Sequence, residues 1–483
     1  MPQTQRQTVA ADDAPLYAKR RKIFPQSVHG NFRRIKWAIL LVTLGIYYLL
    51  PFVRWDRGPH APNQAVLVDF PGRRLYFFFI EIWPQEIYYL TGLLILAALI
   101  LFLLNAVAGR VWCGYLCPQT VWTDLFYAVE RFFEGDRREQ MLHQKQQLTI
   151  RHAARKTTKH ICWLAIAWWT GGAWVLYFSD APTLVRQLAT FQAPTIAWVW
   201  IGLLTLTTYT LAGYMREQVC TYMCPWPRIQ AALTDEYALN VTYRYDRGEP
   251  RGSVKKVAAL RAKGLPAGDC IDCGQCVAVC PTGVDIRKGL QLDCIQCGLC
   301  IDACDTVMDQ VDRPRGLIAY DTDMNVKRRL SGQPDIRRVI RPRTVLYGLL
   351  IVTVGALMLT KLINRDDFGL TVIHDRNPIF VRLSDGSIRN AYTIRVANKT
   401  LESRRYTLRA SGVPDSRLEV IASDVDPEGH PVIVVDPDQT REIRVLVTSK
   451  LTDKSGVNMP VTFSLVDLAD GEALQQTDHF LGP

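Results

Sequence analysis

Several cofactor signatures are missing from the sequence, and each absence removes a class of chemistry. No Gly-x-Gly-x-x-Gly opens a helix after a strand, no Gly-x4-Gly-Lys-Ser/Thr is present, and no Cys-x2-Cys-His occurs. The chain therefore has no recognisable nicotinamide, flavin or nucleotide cradle, and no attachment point for c-type haem. No cysteine follows Cys304, so the C-terminal part has no pair to form a disulfide. Acidic residues are absent from five long apolar runs: Trp37–Val53, Ile87–Val107, Ile161–Phe178, Ile196–Met215 and Val345–Leu362. Each run has about the length needed to cross a hydrocarbon core.

What is present is segregated along the chain. Lys and Arg exceed Asp and Glu by 57 to 46, a net charge of +11. The excess lies beside the apolar runs, where a lipid bilayer accounts for it better than nucleic acid does, and no nucleic-acid partner is expected. Trp37, Tyr88, Tyr89 and Tyr347 at the ends of runs fit interfacial anchoring. The run Leu75–Trp83 is too short to span and carries Glu81, so it is expected to lie in the interface or dip in and return.

Counting Lys and Arg between the runs gives eight before Trp37, four in 54–86, nine in 108–160 and one in 179–195. The basic tail 1–36 and the second loop are thus expected on the cytoplasmic side. Four transmembrane helices then occupy 37–215, a cytoplasmic segment 216–344, a fifth helix 345–362, and a periplasmic domain 363–483. The N-terminal region reads as a retained anchor, since no small-residue cleavage site follows the first apolar run.

Of thirteen cysteines, twelve fall in two kinds of motif on the expected cytoplasmic side. Disulfides are rare in a reducing cytosol, which favours metal binding or redox work. Cys162 stands apart and reads as packing. The run Cys270-x2-Cys273-x2-Cys276-x3-Cys280-Pro281 has the bacterial ferredoxin spacing, and Cys294-x2-Cys297-x2-Cys300-x3-Cys304 repeats it without the proline. The fourth cysteine of such a run ligates the other cluster. One [4Fe–4S] cluster is therefore expected on Cys270, Cys273, Cys276 and Cys304, and a second on Cys294, Cys297, Cys300 and Cys280. Structural zinc is the rival, but zinc ribbons separate their Cys-x2-Cys pairs by longer inserts. A 2[4Fe–4S] ferredoxin-like insert over about 260–310 implies one-electron transfer.

The second motif is Cys113-Gly-Tyr-Leu-Cys117-Pro118, repeated as Cys220-Thr-Tyr-Met-Cys224-Pro225. Both follow spans of the same expected direction, so both emerge at one membrane face. Cysteines at i and i+4 share a helix face, and the proline tends to end or kink the helix there. The pairs are expected to converge into a four-thiolate site for Cu(I), zinc or iron–sulfur, with Met215 and Met223 near enough in sequence to add thioethers. Asp124 and Glu130 read as solvated or interfacial, and His143, His152 and His160 as a solvated basic face.

Beyond about Phe368 the pattern turns to short alternating runs: Leu370–His374, Tyr392–Ala397, Tyr406–Ala410, Leu418–Ala422, Val432–Val435, Ile443–Thr448 and Val461–Val466. Turn clusters at 384–386, 426–429 and 436–438 separate several of them. Seven such runs suggest an all-β, immunoglobulin-like sandwich, with partner docking as its expected use.

With GRVWCGYLCPQTVW (109–122), CTYMCPW (220–226), CIDCGQCVAVCPTGVDIR (270–287), CIQCGLCIDACDTVMD (294–309), WPQEIYYL (83–90) and RPRGLI (313–318), the chain resembles the FixG/RdxA/CcoG family. These are inner-membrane accessory proteins for assembling cbb3-type cytochrome oxidase. The resemblance implies copper handling by reduction of Cu(II) to Cu(I), a cupric reductase activity. It implies copper held by Cys113, Cys117, Cys220 and Cys224 and electrons fed from the ferredoxin cysteines. Implied partners are cbb3-type oxidase subunits or copper chaperones and transporters, with an electron donor the sequence leaves unnamed. Two other readings stay open: a quinol-dehydrogenase-like electron relay, and a non-catalytic assembly scaffold with structural clusters.

Overall fold

The computed structural model describes residues 22–59, 61–146, 149–421, 424–425, 430–450 and 458–482. Most of the basic tail and the 426–429 turn cluster lie outside these residues. Among the described residues, five helices are long and apolar enough to cross a membrane: Asn31–Phe52, Pro84–Ala108, Ile150–Phe178, Thr195–Met215 and Pro342–Ile363. They contain the five apolar runs except Val53, where the first helix has ended, and large apolar side chains such as Leu94, Trp168, Leu206 and Leu350 stand exposed on them. Exposed apolar side chains over helices of this length are compatible with a lipid surround. The third and fourth spans pack closely: a Cβ on Gly171 would meet the Ile201 carbonyl at 3.0 Å.

The chain divides into two units, residues 1–53 with 64–356, and residues 54–63 with 357–483. In the first unit, one end of the helices carries a small antiparallel sheet of Val66–Asp69, Arg74–Phe77 and Ile80–Ile82. Leu75–Trp83 therefore forms paired strands, Arg74–Phe77 against Ile80–Ile82, at this end of the helices. Glu81 is neutralised by Arg74 at 2.8 Å, and that guanidinium also lies 3.8 Å from the centre of the Trp83 ring. Gln64 ties this end together, donating to the carbonyl of Leu176 at 2.8 Å.

The other end carries the ferredoxin segment. The strand Asn240–Tyr243 pairs with Ile318–Asp321, and the helices Gln275–Ala278 and Leu299–Gln310 lie between them in sequence. The segment is fastened to three spans. Asp302 accepts the backbone N–H groups of Phe32 (3.2 Å) and Arg33 (2.8 Å), satisfying free donors at the start of the first span. Arg110, just beyond the second span, donates to the Leu292 carbonyl at 2.5 Å. Arg341, before the fifth, pairs with Asp235 and donates to the Ala106 carbonyl. The helix Arg137–Lys145 lies at this end too, with Arg137 bonded to the Phe24 carbonyl.

A labelling map of single introduced cysteines is expected to place position 145 and the ferredoxin segment in the cytoplasm and position 384 in the periplasm. A ferredoxin segment labelled from the periplasm would invert this topology and remove the compartment argument against disulfides.

The second unit contains two five-stranded sheets, one ordered from Ser416–Val420 through Gln439–Ser449 and Ile388–Asn398 to Phe368–His374, with Val381–Arg382 also paired to Ile388–Asn398. The other runs Asp424–Val425, Pro431–Val435, Arg404–Ser411, Asn458–Asp467, Ala473–Leu481. Tyr392, Tyr406, Phe463 and Phe480 are fully buried. Tyr392 and Phe463 meet edge to face at 4.9 Å in this core. The seven expected strands all occur, that expected over Leu418–Ala422 ending at Val420, with Ala422 outside the described residues. The strand Ala473–Leu481 is additional, and its low apolar content suits an edge paired on one side only.

Candidate metal centres

The two ferredoxin runs adopt the same backbone. Asp272 and Gln296 sit at φ 56° and 55°, and Gly274 and Gly298 at φ 69° and 74°. Two left-handed residues flanking the second cysteine curl each run around a centre, and glycine meets that demand without steric cost. Gly274 and Gly298 each precede a helix that presents its third cysteine inward.

The structure brings Cys270, Cys273, Cys276 and Cys304 round one cavity, walled by Tyr243, Met308, Leu317 and Ile318. Burial, then Cys276, Cys270 and Cys273, push the Cys304 thiol up to about 12. Cys294 is likewise raised to about 12 by burial and then by Cys280, and burial followed by Cys297, Cys294 and Cys280 raises Cys300 well above the ordinary thiol range. The last cysteine of each run thus sits with the first three of the other. Buried thiols crowded in this way cannot all ionise unless a cationic core lies among them. The donor set and the apolar walls fit iron–sulfur clusters.

Both Cys-x3-Cys-Pro motifs lie in wide helical turns, Trp112–Leu116 and Val219–Met223. The N–H of Cys117 donates to the Trp112 carbonyl at 2.9 Å and that of Cys224 to the Val219 carbonyl at 2.8 Å, each reaching five residues back. Such π-turns are uncommon and gather at functional sites. The helical turn ends at Cys117, one of the two outcomes expected of the following proline, and Pro118 opens the next helix, Pro118–Glu134, where its missing N–H is harmless.

The two motifs converge. Burial, then Cys117, push the Cys113 thiol up to about 12, with Cys224 contributing. Burial, then Cys117, Cys113 and Cys224, do the same for Cys220. Cys113 Sγ also lies 3.3 Å from Gln230 Oε1. Among the described residues, no three His, Cys, Asp or Glu side chains are gathered as one metal ion would require. Sulfurs on a tetrahedral ion lie about 3.8 Å apart, from a metal–sulfur bond of about 2.3 Å. Met223 is exposed and adds no observed contact to this group.

The first motif also docks on the second ferredoxin run. A Cβ on Gly114 would stand 2.9 Å from the Ile295 carbonyl, 3.0 Å from that of Gln296 and 3.1 Å from Cys297 Cα. Tyr115 donates its hydroxyl to the Cys297 carbonyl at 3.0 Å. The N–H of Arg110 meets Gln296 Oε1 at 2.7 Å, while its guanidinium reaches the carbonyls of Leu292, Cys294 and Pro227. Gly114→Ala is expected to push these backbones apart and cost about 1–3 kcal/mol through overpacking. A lower thermal midpoint with partial loss of bound iron would show it; a variant matching the parent in both would mean the contact is slack.

Two acids read as solvated are in fact buried. Asp124 accepts Arg33 Nη1 at 2.9 Å and lies 3.8 Å from Lys36 Nζ. Burial alone would raise its carboxyl, but the two cations outweigh it and hold the group below the usual carboxylate range. Glu130, 1 % exposed, pairs with Arg216 at 2.8 Å and Lys159 at 3.3 Å. His160 also leaves the solvated face, bonding Tyr209 Oη at 3.0 Å, whereas His143 and His152 contact each other at 4.6 Å on the basic helices.

Comparison with known proteins follows this architecture. The family model of a 4Fe-4S dicluster domain matches residues 215–323, that of a 4Fe-4S binding domain matches 90–135, and that of the IG-like fold at the C-terminus of FixG matches 358–483. The second of these covers Cys113 and Cys117. Protein RdxB of Cereibacter sphaeroides is 50 % identical over 474 residues, 97 % of each chain. Protein RdxA of the same organism is 53 % identical over 412 residues, 85 % of this chain and 86 % of its own. Nitrogen fixation protein FixG of Rhizobium meliloti is 50 % identical over 460 residues, 90 % of this chain and 87 % of its own. With dicluster cysteines, paired thiolate turns and a C-terminal sandwich in one chain, and half of its residues shared with these relatives, the protein belongs to the FixG/RdxA family of iron–sulfur electron-transfer proteins.

Proposed function

We propose that this chain is a cupric reductase of the bacterial inner membrane that supplies Cu(I) during assembly of cbb3-type cytochrome oxidase. The observation that carries the reading is the seating of Gly114, between Cys113 and Cys117, on the backbone of Ile295–Cys297. That contact leaves no intervening side-chain layer between the two thiolate sites. Cys270, Cys273, Cys276 and Cys304 would hold one [4Fe–4S] cluster, and Cys294, Cys297, Cys300 and Cys280 the other. Each cluster supplies one electron at a time. The Cu(II)/Cu(I) couple consumes one, and soft thiolates retain the product.

In this reading the thiols Cys113, Cys117, Cys220 and Cys224 take copper as cargo, closing on it from their wider spacing. Arg110, buried between Cys113 and Cys294, adds a positive charge beside both thiolate sets. The tail, second loop and residues 216–344 face the cytoplasm, and residues 363–483 face the periplasm, where the sandwich is available to oxidase subunits or copper carriers.

A second reading, a third cluster on the Cys-x3-Cys-Pro thiols, is favoured by the 4Fe-4S binding match over 90–135. Anaerobically purified protein, reduced with dithionite, desalted and mixed with Cu(II) and a Cu(I) chelator, tests both. About eight iron and about two Cu(I) formed per chain are expected from two one-electron clusters. About twelve iron would assign the thiols to a cluster. No Cu(I) formed would leave the clusters structural.

A further inference from the structure

A cavity of about 390 Å³ opens where the third and fourth spans reach the ferredoxin end of the helices, lined among others by His160, Trp163, Tyr214, Glu130, Lys159 and Arg216. It is large enough for a small-molecule headgroup. His160 lies immediately before the apolar run beginning at Ile161, and Tyr214 one residue before the end of the fourth span. The cavity therefore lies at the depth of the membrane interface, beside the exposed side chains of Ile161, Leu164 and Leu206. A ligand reaching it from the bilayer would have a polar head and an apolar tail.

The walls describe that head. The His160 and Tyr214 rings stack at 5.9 Å with 14° between their planes, and Trp163 stands perpendicular to His160 at 5.1 Å. Tyr209, on a π-turn that breaks the end of the fourth span, fixes the imidazole through Nδ1 at 3.0 Å. This leaves Nε2 to meet a ligand. The ionic lining holds four cations and three carboxylates, with Glu130 and Glu134 already paired to Lys159 and Arg216. Flat aromatic walls with nearly balanced charge suit a neutral planar ring with polar groups at its ends better than a phosphate. Arg216 and Glu217 also line a smaller cavity that reaches Cys220 and Pro281.

We propose that this cavity binds the headgroup of a membrane quinone, and that the hydroquinone is the electron source; the destination of those electrons rests on the function proposed above. Oxidation of one hydroquinone to quinone releases two electrons and two protons. One electron reduces each of two [4Fe–4S] clusters from the 2+ to the 1+ state. The protons leave to water at the cavity mouth, the first by way of His160 Nε2.

Full-length protein in lipid nanodiscs, irradiated with a short-tailed azido-ubiquinone and mapped by mass spectrometry, tests the binding. Label is expected on the peptides around His160–Trp163 and Gly213–Arg216, displaced by decylubiquinone but not by equal phosphatidylglycerol. His160→Leu and Tyr214→Phe should each lower that labelling at least tenfold, with bound iron as the check that the variants fold. Label spread evenly over the spans, label unchanged in both variants, or displacement by phosphatidylglycerol would each overturn the site. The parent protein, reduced with dithionite and desalted, is expected to form Cu(I) without quinone, so failure of the labelling test with that reaction intact leaves the reductase reading standing, and the two failures are distinguishable.

Discussion

Serine in place of both Cys273 and Cys297 is expected to abolish Cu(II) reduction, because the two substitutions strip one thiolate from each four-cysteine group. Iron should fall from about eight atoms per chain to roughly half or less. The single variants should differ. Cys273 is exposed and Cys297 buried, and the Cys297 carbonyl receives the Tyr115 hydroxyl. Cys273→Ser should fold and reach the membrane, losing one cluster; Cys297→Ser should also loosen the contact with the first Cys-x3-Cys-Pro turn and lower the yield. Cu(I) supplied directly should still bind the double variant where that turn stays formed. Reduction at the parent rate with either cluster missing would mean that the electron path bypasses it.

The converse pair, Cys113→Ser with Cys117→Ser or Cys220→Ser with Cys224→Ser, should spare the eight cluster ligands and remove copper. A hydroxyl is a poor ligand for soft Cu(I), so Cu(I) affinity should drop by roughly two orders of magnitude or more, beyond the 10–100-fold that loss of supporting groups around a metal costs. The protein should keep its brown colour and about eight iron. Because Cys117 and Cys224 act on both raised thiols, Cys113 and Cys220, either pair should disable the whole site. Chelator competition against Cu(I) measures this. Parent-like affinity would remove copper from these residues, and a loss of about four iron would place a cluster there.

The parts of the protein legible in the sequence are those whose determinants are local. Cluster spacing is one: the Cys-x2-Cys-x2-Cys turn is built by residues within seven positions, down to the left-handed Gly274 and Gly298. Spans and sandwich strands are others, since each follows from its own apolar pattern. Pairing between distant residues was not legible. Asp124 and Glu130 read as solvated because Arg33 lies 91 positions from the first and Lys159 lies 29 from the second. A carboxylate on an amphipathic helix looks the same whether water or a remote cation neutralises it. The π-turns were hidden for a related reason, since an α-helix and a π-turn share a sequence and differ in which carbonyl each N–H finds. The strand pairing of Leu75–Trp83 was hidden because its composition resembles an interfacial segment while its partner strand, Val66–Asp69, precedes it across a turn at Arg73.

Asp302, seated between Cys300 and Cys304, caps the first membrane helix. A mobile ferredoxin must find its acceptor by collision, so its rate scales with concentration and weakens as salt screens the encounter. Here the ferredoxin segment is held on the helical scaffold by a buried carboxylate, so an acceptor on that scaffold is met once, at folding. Electron passage within the chain is then a first-order event, indifferent to dilution and to ionic strength. What varies with conditions is only how often electrons arrive.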